Sequence, residues 1–288
     1  MTLKSFPACL AITLASEGGF SIEKSDPGNW TGGAVGKGTL KGTKYGISAA
    51  AFPNLDIRNL TLDDVGPIYK TKYWDAVGGD HLPAGFDLVT WDYGVNSGPA
   101  RALRDAQAVT GAPVDGKLGP TTIAKAARAG VKEIQGLCRR RLGYMQGLKI
   151  WQTYKRGWSA RVAKIEAKGV AMFLASSAST AAERRKALSA ESEAAGQKAA
   201  RNAKQALTAG TGGTVVTGAS TGHVSWLAIV CGLSAVSLIL ALAFAAYRKN
   251  KARADAYREA AAGVADAMPP AKHAPASSSE NAATVDEA

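Results

Sequence analysis

A single carboxylate, Glu17 in Ser16-Glu17-Gly18-Gly19-Phe20, stands at the end of an apolar run with helical spacing through Phe6, Leu10, Ile12 and Leu14. The two glycines that follow would stop such a helix. An acid held half out of water has its charged form disfavoured, so it keeps a proton near neutral pH and can donate it. Protonating a leaving-group oxygen is what breaking a glycosidic bond requires. A lone Glu before Gly-Gly is also the ordinary composition of a solvated helix end, so the choice rests on what surrounds it.

Further along stand Asp26-Pro27-Gly28, then Thr43-Lys44-Tyr45-Gly46-Ile47-Ser48, Tyr73-Trp74-Asp75, and Asp92-Tyr93-Gly94-Val95-Asn96-Ser97-Gly98. In that order, over about residues 3 to 165, the chain resembles the glycoside hydrolase family 108 N-acetylmuramidases. The resemblance implies a lysozyme-like fold and hydrolysis of the bond between N-acetylmuramic acid and N-acetylglucosamine in peptidoglycan. It implies Glu17 as general acid, Asp26 and Thr43 as the groups that position or activate the attacking water, and Tyr45 as a residue shaping the sugar site. Read locally, Asp26 is equally an acid that starts a turn before Pro27, and Thr43 and Tyr45 a strand-edge pair. Trp74 is a candidate to stack on a sugar face, and Asn96 to hydrogen-bond an N-acetyl group or cap the next helix. Residues 29–42 are longer than the family pattern has at this place, and their glycines predict a mobile flap.

The remaining composition narrows the chemistry. Cys9, Cys138 and Cys231 are odd in number and far apart, and His81, His223 and His273 are scattered. They offer neither a disulfide framework nor metal-ligand spacing, so no metal site, cofactor or Cys/His nucleophile is expected. The net charge of +12, from 35 Lys+Arg against 23 Asp+Glu, favours a polyanionic partner. The basic residues are dispersed and accompany no nucleic-acid-binding motif, so a cell wall fits better than DNA or RNA.

Those groups need a scaffold, and the patterns predict a mainly α-helical one. Residues 1–16 could pass for a secretion signal, but the resemblance makes them the first helix. Helical spacing runs over residues 57–76, opened by a Thr61 cap with Asp64 three residues on. More helices are expected over 88–95, from Pro99 to Thr110 with a stop at Gly111, and over 131–168. Val114-Asp115-Gly116-Lys117-Leu118-Gly119-Pro120-Thr121-Thr122 resembles the turn of a small peptidoglycan-binding module, with Thr121 or Thr122 capping the next helix. Gly157-Trp158-Ser159-Ala160-Arg161 resembles the family's closing element, in which Arg161 could pair with an acid.

The expected layout is a catalytic region at 1–98, a peptidoglycan-binding-like helical subdomain at 99–170, and a protruding Ala-rich spacer with a Gly/Thr hinge at 171–223. A membrane helix at 224–247 and a basic, then disordered, tail at 248–288 complete it. Residues 224–247 hold no charged side chain, with Trp226 and Tyr247 near the two ends. At about 36 Å such a helix exceeds a bilayer core of roughly 30 Å. Arg248, Lys249, Lys251, Arg253 and Arg258 follow it, so the positive-inside rule puts the tail in the cytoplasm and the enzyme on the wall side of a bacterial inner membrane. The expectation is thus a muramidase of phage-type host lysis, anchored in the inner membrane, acting in the periplasm or cell wall and working with a holin. The rivals are an anchored wall-binding protein without catalysis and a holin-like accessory protein.

Overall fold

A computed structural model describes residues 5–15, 19–177, 179–212 and 226–264; of the side chains of 206–207, 209–212, 226–236 and 239 nothing is said. The helices are α1 (Phe6–Leu14), α2 (Leu62–Tyr69), α3 (Asp75–Val77), α4 (Phe86–Ser97), α5 (Pro99–Thr110), α6 (Pro120–Ala126), α7 (Val131–Gln146), α8 (Trp151–Ser176), α9 (Ala181–Gly212) and α10 (Trp226–Ala262). One two-stranded antiparallel sheet, β1 (Thr43–Lys44) and β2 (Ile47–Ser48), lies between α1 and α2. The mainly α expectation therefore holds.

The body is built around α4, which is buried on all sides from Phe86 to Gly94. A helix without a polar face must be enclosed by its neighbours, and α1, α5, α7 and α8 enclose this one. Phe6 of α1 meets Trp74 and Trp91 edge to face, with ring centroids 5.2 Å and 5.9 Å apart. Ser5, just ahead of α1, hydrogen-bonds the Asp87 carboxylate. Residues 6–14 are thus a core helix with Cys9, Leu10, Thr13 and Leu14 buried. Helices α4 and α8 run close enough that a Cβ on Gly85 would lie 2.0 Å from the Gly169 carbonyl oxygen. Glycine is required there on space alone, and φ of +84° at Gly85 requires it again.

The Thr61–Asp64 capping box forms as expected: the Thr61 N–H donates to Asp64 Oδ2 at 2.7 Å, and the Asp64 N–H to Thr61 Oγ1 at 3.3 Å. The helix begins only there, because Ile57–Asn59 is a separate short turn. It then widens over Lys70–Trp74 to a π-helical turn before α3. Helix α5 spans the expected residues and ends at Gly111, where φ is +71°. The expected caps of α6 do not form. Thr122 is buried and receives the Gln107 Nε2 donor at 3.0 Å, while the same amide grips Asp115 Oδ1 at 2.7 Å and the Lys117 carbonyl. Gln107 Oε1 in turn accepts the N–H groups of Asp115 and Gly116. One side-chain amide on α5, rather than a hydroxyl cap, closes this turn.

Two further expectations are corrected. The 171–223 spacer does not protrude bare: α9 lies along α10, and Leu188, Ser192, Ala195 and Ala199 are buried. Its small residues let two helices approach closely, a packing that propensity reasoning overlooks. The basic run after Tyr247 is not separated from the enzyme either. It continues α10, and Arg253 Nε bonds Glu166 Oε1 of α8 at 2.6 Å while its Nη2 reaches Glu191 of α9 at 3.1 Å. Tyr257 donates to the same Glu166 oxygen at 3.0 Å. Residues 248–262 therefore pack on α8 and α9. Among the described residues no helix is long and apolar enough to cross a membrane; part of the 224–247 segment lies outside them.

Burial pushes the Glu166 carboxyl up, and Arg253 and Tyr257 oppose that shift. Removing one partner of a buried pair leaves a charge with nothing to solvate it. Arg253→Ala should therefore cost about 3–5 kcal/mol and loosen α9 and α10 from α8. Limited proteolysis read by mass spectrometry should show early cuts within residues 179–264, and a digestion pattern unchanged from wild type would refute this account.

Candidate functional site

Between α1 and α2 the chain forms a small lobe in which the candidate water-handling groups lie. Its entry is a backbone bridge: Ser21 and Thr43 exchange two N–H···O bonds of 2.8 Å each. Asp26 opens a short turn over Pro27–Asn29, and its Oδ1 accepts the Gly28 N–H at 2.8 Å. Its local reading as a turn-starting acid is thus met in the structure, and the side chain remains exposed.

Asn29 ties the lobe together. It is fully buried. Its carbonyl accepts the N–H groups of Lys41 and Gly42, each at 3.0 Å. Its side-chain Nδ2 donates to the Glu23 carbonyl at 2.9 Å, and its Oδ1 accepts the Thr43 hydroxyl at 2.7 Å. The Gly-rich segment expected to be a mobile flap is instead knitted into a hairpin-like excursion. Trp30 bridges Leu40, Thr31 bonds Thr39 through both backbone and hydroxyl, and the Trp30 indole donates to the Lys24 carbonyl at 2.9 Å. Its glycines serve turns with positive φ at 33, 36 and 38.

Strands β1 and β2 are joined by Tyr45 and Gly46, with φ of 51° and 72°. Two successive positive φ values in a two-residue connection are the type I′ pattern, whose twist suits a hairpin. Tyr45 is the one non-glycine described residue with positive φ. Its carbonyl accepts the Tyr69 hydroxyl at 2.7 Å. Tyr69 in turn lies 6.4 Å, centroid to centroid, from Trp91 of the core helix α4, so the turn is fastened to the body.

The other candidates divide. Trp74 is excluded as a sugar platform, because it is completely buried against Phe6 and Trp91 and its Nε1 donates to Asp80 Oδ1 at 3.0 Å. Asn96 is exposed at the end of α4, where its Oδ1 accepts the Ser97 hydroxyl at 3.2 Å. Glu17 lies outside the described residues. A groove of about 520 Å³ between α1, α8, α9 and α10 is lined by residues such as Ile12, Lys168, Met172 and Arg184 and by none of the candidates. No group of three or more His, Cys, Asp or Glu able to hold a metal occurs among the described residues.

The acid in the Asp92-Tyr93-Gly94 motif has a structural task. Asp92 is wholly buried, with Oδ2 2.6 Å from Arg141 Nη1 and Oδ1 2.9 Å from Arg161 Nη2. Burial alone would raise its pKa, but the two guanidinium groups outweigh that and hold the carboxyl below its usual range. The expected partner acid for Arg161 is therefore Asp92. Beside it the Tyr93 hydroxyl donates to Asp105 Oδ2 at 2.8 Å, and Arg140 Nε bonds Asp105 Oδ1 at the same distance.

The family model described as "Glycosyl hydrolase 108" matches residues 10–98, a span that holds Glu17, the lobe and the whole of α4. A solved structure of SagA from Brucella abortus is 31% identical, aligned over 59% of this chain and 95% of that one with a TM-score of 0.49. The N-terminal region belongs to glycosyl hydrolase family 108. At the level of that family the chain is a glycoside hydrolase of the peptidoglycan-degrading kind. No curated protein matches the chain. Within the family 108 region, sequence reasoning missed Asn29, although it lies between Asp26 and Thr43 in Asp26-Pro27-Gly28-Asn29. The signal was a long polar loop that had to satisfy its own backbone, which calls for a buried Asn or Gln.

The Asp92 pair sets a stability expectation with a definite sign. Because its folded pKa is depressed, its contribution is complete above the unfolded carboxylate value of about 3.9 and fades as pH falls through the folded value. Asp92→Asn should lower stability at pH 7 by about 3–5 kcal/mol, leaving two guanidinium groups short of a counter-charge. Its denaturant midpoint should also change less than wild type's between about pH 5 and about pH 3, which bracket the unfolded carboxylate value. Equal acid sensitivity in the two proteins would contradict the assignment.

Proposed function

We propose that the chain is an N-acetylmuramidase that cleaves the bond between N-acetylmuramic acid and N-acetylglucosamine in peptidoglycan. In this reading Glu17 protonates the glycosidic oxygen, Asp26 and Thr43 handle the attacking water, and Tyr45 and Asn96 contact the sugars. The observation that supports it best is the grouping of Asp26 and Thr43 around Asn29 in the region matched to family 108. Glu17 is four peptide links from Ser21, whose backbone is bonded to Thr43. Chain connectivity therefore keeps an acid and a water-handling pair within one short stretch. The net charge of +12 suits an anionic wall polymer.

Glu17→Gln keeps the side-chain shape and removes the titratable proton. Against purified cell walls it should lower turnover by about 10²- to 10⁴-fold, with the product identified by mass spectrometry of released muropeptides. Near wild-type release of reducing muramic-acid ends by this variant would exclude Glu17 as the acid.

The setting we propose is phage-type host lysis, with attachment to the bacterial inner membrane through residues 224–247, action in the periplasm or wall, and a holin as partner. What supports attachment is the exposure of Leu238, Leu240, Leu242 and Phe244 on one helix that lacks charge from 226 to 247. Replacing Leu238, Leu242 and Phe244 together by Asp should move the full-length protein from the membrane fraction to the soluble one on centrifugation. Equal partition of the two proteins would argue against attachment and for an unattached hydrolase.

A further inference from the structure

We infer that Asn29 is a positioning residue that makes Thr43 an obligate hydrogen-bond acceptor toward substrate and water, an inference that rests on the hydrolytic reading of Thr43. The argument is one of donor and acceptor inventory. The Glu23 carbonyl can only accept, so the Asn29 atom 2.9 Å from it must be the amide nitrogen. The other end of the amide, Oδ1, then faces Thr43 Oγ1 at 2.7 Å, and an amide oxygen can only accept. Thr43 must therefore spend its single proton on Asn29. What its hydroxyl has left is lone pairs.

A water beside Thr43 would then donate one proton to it, which turns that water's own lone pairs elsewhere. A water so held is aimed, and the remaining proton is the one a carboxylate such as Asp26 would take. A freely rotating hydroxyl would lack this property, since it could equally donate to the water and occupy the lone pair needed for attack. Burial keeps the device rigid: Asn29 is fully enclosed, and its backbone is fixed independently by Lys41, Gly42 and the turn from Asp26. Asp26 and Thr43 thus take their relative placement from the two ends of one residue, its N–H bonded to the Asp26 carbonyl at 3.1 Å and its side chain to the Thr43 hydroxyl.

The test is a double-mutant cycle on the full chain with soluble peptidoglycan fragments, measured below the melting temperature of every variant. Asn29→Ala should lower kcat roughly tenfold, the loss of one aimed hydrogen bond, with KM changed by no more than about twofold. Asn29→Asp keeps an acceptor oxygen for the Thr43 hydroxyl and should recover part of that loss. In a Thr43→Val background, Asn29→Ala should cost less than about a further twofold in kcat, because the group it acts through is gone. Losses that multiply in the double variant would show that Asn29 serves the lobe at large and would overturn the inference. So would an Asn29→Asp variant as impaired as Asn29→Ala at equal melting temperature. An active wild type unaffected by Thr43→Val removes Thr43 from the chemistry and the inference with it, whereas a wild type that releases no muramic-acid ends removes the muramidase reading itself.

Discussion

Two arginines compete for one buried carboxylate at the centre of this protein, and the helices are arranged so that both succeed. Asp92 on α4 takes Arg141 from α7 at Oδ2, while Arg161 from α8 spans both oxygens. Desolvating an acid in the middle of a helix with no polar face is costly, and the cost is recovered only when both partners arrive in register. The pair therefore fixes the rotation of three helices about their axes as well as their distance. Arg141 Nε and Nη2 find no partner in the structure among the described residues, so the guanidinium is used for geometry more than for full hydrogen bonding.

From that centre the fold can be followed outward to the chemistry. Trp91, next to Asp92, meets Phe6, Trp74 and Tyr69 at edge-to-face angles, which favour a single arrangement over a sliding stack. Tyr69 then reaches out of the core with its hydroxyl to the carbonyl of Tyr45. In the opposite direction α8 carries Glu166, which draws Arg253 and Tyr257 and brings α10 with them. The same helix that is locked at Arg161 thus holds the appended helices one turn and a half further along.

Legibility in the sequence followed the range of each interaction. The Thr61–Asp64 cap and the Pro99 start and Gly111 stop of α5 are local and were readable from spacing. The family motifs pointed to the hydrolase region because their residues keep a fixed order. Long-range partners were invisible: nothing in a periodic pattern says that Trp74 turns inward to Asp80, or that an Ala-rich stretch will find α10. Glycine content misled over residues 29–42, since the same residue that loosens an unpaired loop is the one that permits the tight positive-φ turns of a paired one. Hydropathy over 224–247 likewise carries no information about Arg253, further along the same helix, reaching back to Glu166.

The lobe between α1 and α2 is held by more than its own loops. Loops hold a side chain's direction poorly unless something over-determines them. The lobe meets that demand with a hub and a tether. Asn29 satisfies four backbone or side-chain groups from inside, and Tyr69 grips the one turn whose backbone departs from ordinary geometry. Holding a tyrosine at positive φ costs of order 1–3 kcal/mol, and such a cost persists only where the surroundings impose it. Here a type I′ turn, a bond from the core and the adjacent Gly46 impose it together. The strained residue follows β1 directly, so the turn and the strand that carries Thr43 are held together.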